Sequence, residues 1–187
     1  MIRSLNAVPA IFLLALLPGA GLLAQERITP FLGGGLALGT GDLADDTDAG
    51  WMIFGGVDVP VGAEGFSLGL AATFSEVPHR GGFDEKNQVT TVTADVGWSF
   101  LNLVGSGVTP CLRLGAGIRV DRFEPGELAG PGTSDSGLGG NLAGGVAIPL
   151  GRGTALVGTH LITGRNAGVW GVHAGFGVPL ERPFVVG

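Results

Sequence analysis

Three histidines, His79, His160 and His173, and one cysteine, Cys111, are the side chains best suited to nucleophilic or acid–base work in this 187-residue chain. A hydrolytic site built on any of the imidazoles needs a hydroxyl or thiol within hydrogen-bond reach. The last serine is Ser136, and neither His160-Leu161-Ile162 nor His173-Ala174-Gly175 brings a nucleophile with it. The histidines therefore read as structural or enclosed residues, and Cys111 as a thiol that packs. A single cysteine also excludes an internal disulfide and a cysteine-based zinc site. Asp42, Asp45, Asp46 and Asp48 crowd one short stretch, and clustered carboxylates suit hard cations such as calcium. Their spacing departs from the EF-hand pattern, because Gly50 stands where a further acidic or amide ligand belongs, so the stretch reads as a solvated acidic loop. The glycines between Gly33 and Gly41 would suit a dinucleotide loop only if a helix followed to offer its N-terminus to a pyrophosphate, and no helical period follows. No catalytic, cofactor-binding or metal-ligating residues are assigned, and the chain is expected not to be an enzyme.

The elements that carry these residues have a period of two. Phe66, Leu68, Leu70, Ala72 and Phe74 alternate with Ser67, Gly69, Ala71, Thr73 and Ser75. Successive strand side chains point to opposite faces, so such a segment has one apolar side and one small, polar side. The same alternation recurs around Thr90–Phe100, Leu112–Asp121 and Trp170–Val178. Looser versions at 28–40, 50–61, 136–149 and 154–163 bring the count to about eight strands. An even number of alternating strands fits an all-β, closed, up-and-down antiparallel transmembrane β-barrel. Closure has a physical motive, since an unpaired backbone group in hydrocarbon costs several kcal/mol and an open sheet has two unpaired edges.

Composition points the same way. Charged residues are 14% of the chain, against about 25% in ordinary soluble domains. The one long apolar run, Ile11–Leu17, follows Arg3 and precedes a small-residue exit at Ala24, the tripartite layout of a secretory signal. Residues 1–24 are thus expected to be a cleavable signal peptide and 25–187 the barrel domain, with Ala20 as an alternative cut. Losing Arg3 with that segment lowers the formal net charge from −6 to −7. An acidic protein is a poor match for nucleic acid, whose phosphates call for Lys and Arg.

Long polar connections are expected at 41–49, 76–87 and 123–135, and short ones at 60–65, 102–107 and 150–153. Outer-membrane barrels have this asymmetry, with the long loops outside the cell. Threading the strands up and down places Trp51, Phe74 and Trp170 near the outer rim, and Phe31, Phe66, Trp98 and Phe100 near the periplasmic rim, as two aromatic girdles. It also places charges on inward rows. A hairpin turn centred near Val104 sets Asp95 opposite or diagonal to Arg113, Asp58 falls at a similar depth, and Arg119 with Asp121 forms a second layer nearer the outer mouth. With His173 these make up the expected lumen polar network.

The Gly-rich first strand Pro30-Phe31-Leu32-Gly33-Gly34-Gly35-Leu36 running into Thr40-Gly41-Asp42 resembles the outer-membrane β-barrel domain family, the small OmpA/OmpX/OmpW-like barrels. Val57-Asp58-Val59-Pro60-Val61 and Gly144-Gly145-Val146-Ala147-Ile148-Pro149-Leu150 carry the same resemblance across nearly the whole mature chain. It implies an outer-membrane location, contact with outer-membrane lipid, and handling by the outer-membrane assembly machinery. Family members commonly end on an aromatic residue; here Phe184 stands short of the terminus. Outer-membrane lipid A deacylases have barrels of this size but need the Ser–His pair that is missing. The expected function is a non-enzymatic integral outer-membrane barrel acting as envelope structure, surface-loop interaction module or narrow conduit, without a cofactor. The alternative is a soluble secreted or periplasmic lipocalin-like barrel, with its apolar rows turned inward around an apolar ligand.

Overall fold

The computed structural model describes residues 27–61, 65–81, 84–100, 107–126, 131–165 and 167–181. The expected signal peptide, the turn at 102–106 and the tail with Phe184 lie outside the described residues. Eight antiparallel strands close into a barrel: β1 (Arg27–Gly41), β2 (Gly50–Pro60), β3 (Phe66–Pro78), β4 (Lys86–Ser99), β5 (Thr109–Glu124), β6 (Thr133–Leu150), β7 (Gly153–Thr163) and β8 (Ala167–Gly177). Each pairs with its sequence neighbours, and β1 pairs with both β2 and β8, which closes the ladder. A short β9 (Leu180–Glu181) adds to the start of β1. The start of β1 and the end of β8 share one end of the barrel, the terminal end; the connections 42–49, 79–85, 125–132 and 164–166 lie at the other, the mouth.

The period-two rows fall on the faces that closure demands. Leu32, Leu36, Leu70, Leu114, Ile118 and Val172 stand on the exterior, with Leu32 at 70% and Leu114 at 62% exposure. Ala71, Thr73, Ser75, Thr91, Thr93 and Asp95 face inward and are buried. This orientation contradicts the lipocalin-like alternative, because the apolar rows face outward. Crowding is the reason: the concave side of a narrow barrel accepts mainly small residues, and Cβ atoms added at Gly117 or Gly145 would collide with the backbone of the adjacent strand.

Two expected features are corrected. The polar connections at 76–87 and 123–135 are shorter than expected and their ends are strand, since β3 and β4 pair as far as Pro78↔Lys86 and β5 and β6 as far as Phe123↔Thr133. Polar residues on both faces are compatible with a ladder once it has risen beyond the apolar belt. At the terminal end the connection between β4 and β5 spans 100–108, longer than any of those at the mouth, whereas β6 and β7 are joined through Gly151 in the left-handed region (φ 62°). The second correction is Phe31, expected in the exterior girdle: it faces the lumen at 8% exposure. Its row-mates Gly33, Gly35 and Ala37 occupy tight inward positions, so the opposite parity would force Leu32, Leu36 and Leu38 into the lumen.

Candidate functional site in the barrel lumen

The lumen is organised by one row of paired positions across five strands. Asp58 of β2 pairs with Gly69 of β3, Gly69 with Asp95 of β4, Asp95 with Gly115 of β5, and Gly115 with Asn141 of β6. Directly paired residues share a face, so all five point inward. The two glycines make space for the carboxylates: a Cβ on Gly115 would strike the Asp95 carboxylate, and one on Gly69 would strike Asp58 Oδ1. Arg113 lies one inward step nearer the terminal end, paired with Gly97, and so is diagonal to Asp95. Its Nη1 donates to Asp95 Oδ2 at 3.2 Å and its Nη2 to Asp58 Oδ2. The Arg113 guanidinium carbon sits 4.4 Å from the centroid of the Phe31 ring, a cation–π contact. Asn141 Nδ2 donates to the Asp95 carboxylate at 3.3 and 3.4 Å, and the Asp95 side chain is fully buried.

The structure thus brings Asp58, Asp95 and Arg113 together and adds Asn141 and Phe31. Sequence reasoning missed Asn141, since an amide in a Gly-rich strand carries no partner signal. His173 faces the same lumen but makes no hydrogen bond to this network. Its ring packs 4.7 Å from Phe54 and 5.9 Å from His160, measured between centroids. Arg119 and Asp121 form the separate layer expected nearer the mouth. Arg119 Nε donates to both Asp121 oxygens at 2.8 and 2.9 Å, its Nη1 donates to the Ala167 carbonyl at 2.7 Å, and it is 3% exposed.

Toward the mouth lies an apolar layer that alternation alone does not reveal, level with part of the second ionic layer, since Val89 pairs directly with Asp121. Ala37, Met52, Val77, Val89, Ile162 and Val169 face inward from six strands, all at 0–1% exposure, and Leu43 packs onto them from the 42–49 connection. Below this layer a cavity of about 390 Å³ opens toward the terminal end; above it a vestibule of about 630 Å³ opens at the mouth, lined by Arg119, Asp121, Asp135 and Arg165 among others. The two share no lining residue. Side chains so completely buried leave no water-wide space beside them, so this layer stands as a septum on six of the eight strands between the two cavities.

On the exterior, Trp51 packs on Phe74 (5.3 Å between centroids) toward the mouth, with Trp170 also outward. Phe66 stacks on Trp98 at 5.4 Å and Trp98 on Phe100 at 4.3 Å toward the terminal end. The acidic connection 42–49 is pinned to its neighbour: Arg80 Nε donates to Asp48 at 3.2 Å, and the Arg80 amide donates to the Asp46 carbonyl at 2.7 Å. Among the described residues no group of three His, Cys, Asp or Glu side chains is placed to hold a metal ion.

The closed antiparallel ladder is a fold shared with solved structures. Neisserial surface protein A superposes with a TM-score of 0.59 at 13% identity, covering 82% of this chain and 96% of that one. The chain has the fold of the small outer-membrane barrels. The N-terminal β-barrel domain of Pseudomonas aeruginosa OprF gives a TM-score of 0.53 at 14% identity, with 83% and 98% covered. Ail, the attachment invasion locus protein of Yersinia pestis, gives 0.51 at 16% identity, with 83% and 99% covered. No protein-family model and no curated sequence matches the chain. At these identities the shared property is the fold: eight strands, one closure, both chain-end strands meeting at the seam.

Proposed function

We propose that this chain is a sealed, non-enzymatic integral barrel of the outer membrane, exported through residues 1–24 and acting through the surface at its mouth. The observation that carries this reading is the pairing of an apolar exterior with a closed lumen. Contiguous exposed apolar surface on a soluble monomer rarely exceeds a few hundred Å²; here Leu32, Leu36, Ile53, Leu70, Val92, Leu114, Ile118 and Val172 form a belt around the wall. Hydrocarbon is the solvent that suits such a belt, and a closed ladder leaves no backbone edge unpaired within it. The partners implied are outer-membrane lipid around the belt and the outer-membrane assembly machinery during insertion.

The septum narrows the remaining choices. Eight strands leave an interior that side chains fill, and here the apolar layer, with buried Ser75, Thr91 and Arg119 beside it, fills the part toward the mouth, which disfavours the conduit. What is left for interaction is the mouth, where β6 overtops β7. Thr133–Gly139 of β6 pairs with β5 but has no β7 partner, because the β6–β7 ladder begins at Gly140↔Thr163. All of Thr133–Leu138 is exposed, with Leu138 at 88%. The test is fractionation with conductance. The protein should remain in the outer-membrane pellet after alkaline carbonate and, refolded into planar bilayers, should pass no steady current. Release by carbonate would overturn the membrane reading, and stable single-channel steps would overturn the sealed one.

A further inference from the structure

The cavity at the terminal end has a chemical imbalance in one direction. Asp58 and Asp95 share the single guanidinium of Arg113, and no other cationic side chain lines the cavity among the described residues. Two carboxylates against one guanidinium leave a formal negative charge in an enclosed space, where uncompensated charge is expensive. Asn141 spends its amide nitrogen on Asp95, so the acceptor Oδ1 is turned away; that oxygen has no partner, and the residue is 3% exposed. His160 is 4% exposed with Nε2 unpartnered, and Nδ1 of His173 is likewise buried without a partner. Buried polar atoms in native proteins are nearly always hydrogen-bonded. All three residues line the cavity, as Asp58 does, while Asp95 lies buried behind its wall. An amide oxygen is an acceptor, whereas an unpartnered nitrogen of a neutral imidazole accepts or donates according to its tautomer.

We infer that this cavity binds a small organic cation that carries N–H donors on a short apolar body, a primary ammonium or a guanidinium entering from the terminal end. The charged head answers Asp58, the carboxylate that lines the cavity, and the Asn141 Oδ1 acceptor, with each imidazole accepting in the tautomer that turns its lone pair to the cation. The body lies along Phe54 and Leu156, which supply the apolar part of the wall. A volume of about 390 Å³ falls within the roughly 300–1,000 Å³ usual for small-molecule sites. An anion would meet the surplus charge with the wrong sign, and a hydrocarbon would leave three buried polar atoms unpaired. This goes beyond the proposed envelope role and does not depend on which membrane surrounds the barrel.

The test uses the full chain refolded in detergent micelles, with n-butylammonium as probe and n-butanol, butyrate and sodium ion as controls. NMR signals of the Asn141 side-chain amide and of the His160 and His173 imidazoles report occupancy. Saturable shifts are expected with butylammonium, with binding at least tenfold weaker for butanol and for sodium and no shift for butyrate. Asp58→Asn should weaken butylammonium at least tenfold and His173→Phe several-fold, while Leu70→Val on the exterior leaves it unchanged. Equal affinity for butanol or sodium, no saturable shift, or undiminished binding by a folded Asp58→Asn variant would overturn the site. Should Asp58→Asn fail to refold, the wild-type series and His173→Phe decide between the same outcomes.

Discussion

Asp95 is the residue on which the lumen turns, since Arg113 and Asn141 both donate to it and it has no access to solvent. Removing one member of a buried pair typically costs about 3–5 kcal/mol, because the partner is left charged and unpaired. Arg113→Ala should therefore lower the unfolding free energy obtained from urea titration by an amount in that range. Asp95→Ala should add much less than its own single effect on top, and strict additivity in this double-mutant cycle would disprove the coupling. The pair is legible in the sequence, because hairpin symmetry about a connection centred near residue 104 brings Asp95 and Arg113 within one diagonal step. The role of Gly69 and Gly115 is not. A glycine opposite a carboxylate looks the same in sequence as one that merely relieves crowding. Phe31 is hard to place for a related reason: Pro30-Phe31-Leu32 puts two large apolar residues side by side, and only the tight inward places of Gly33 and Gly35 decide which of them turns inward.

At the scale of the strand, alternation fixes faces, and each face has a different solvent. Leu114 stands outward on β5 at 62% exposure, where an Arg near the middle of a bilayer costs about 2–4 kcal/mol. Leu114→Arg should lose that much stability in lipid-vesicle refolding while Leu114→Ile stays close to wild type; equal stability of the two would mean that this row does not face lipid. Strand ends are less legible than strand faces. Thr133, Ser134, Asp135, Arg122 and Glu124 have the composition of a loop, yet they extend the β5–β6 hairpin, because polar side chains fit either face of a ladder that water surrounds. The connection at 125–132 thus sits at the top of the tallest hairpin and, under the proposed topology, outside the cell. External protease added to intact cells should cut there, and cleavage seen only after permeabilisation would reverse the orientation.

For the whole molecule, the eight-strand count, the closure and the up-and-down order are legible from period two alone, while the septum is not. Met52, Ile162 and Val169 are apolar residues on inward rows, and the rule that sorts apolar out and polar in has no place for them. They fill the lumen beside the buried Arg119. If that layer is what seals the barrel, Val89→Gly combined with Ile162→Gly should join the two cavities and give measurable conductance in planar bilayers, whereas Arg113→Ala alone should give none. Conductance from Arg113→Ala would instead make the ion pairs the seal. The seam has a consequence for how the molecule comes into being. Phe31↔Gly177 through Gly41↔Ala167 join the first long strand to the last, across almost the whole described sequence. Contacts so distant in sequence form slowly, and until these form, the growing sheet has two bare edges. The polypeptide therefore gains nothing by folding as it emerges. It must be kept extended and escorted until its final strand has arrived, and a truncation that removes β8 should leave a chain for the proteases rather than a smaller barrel.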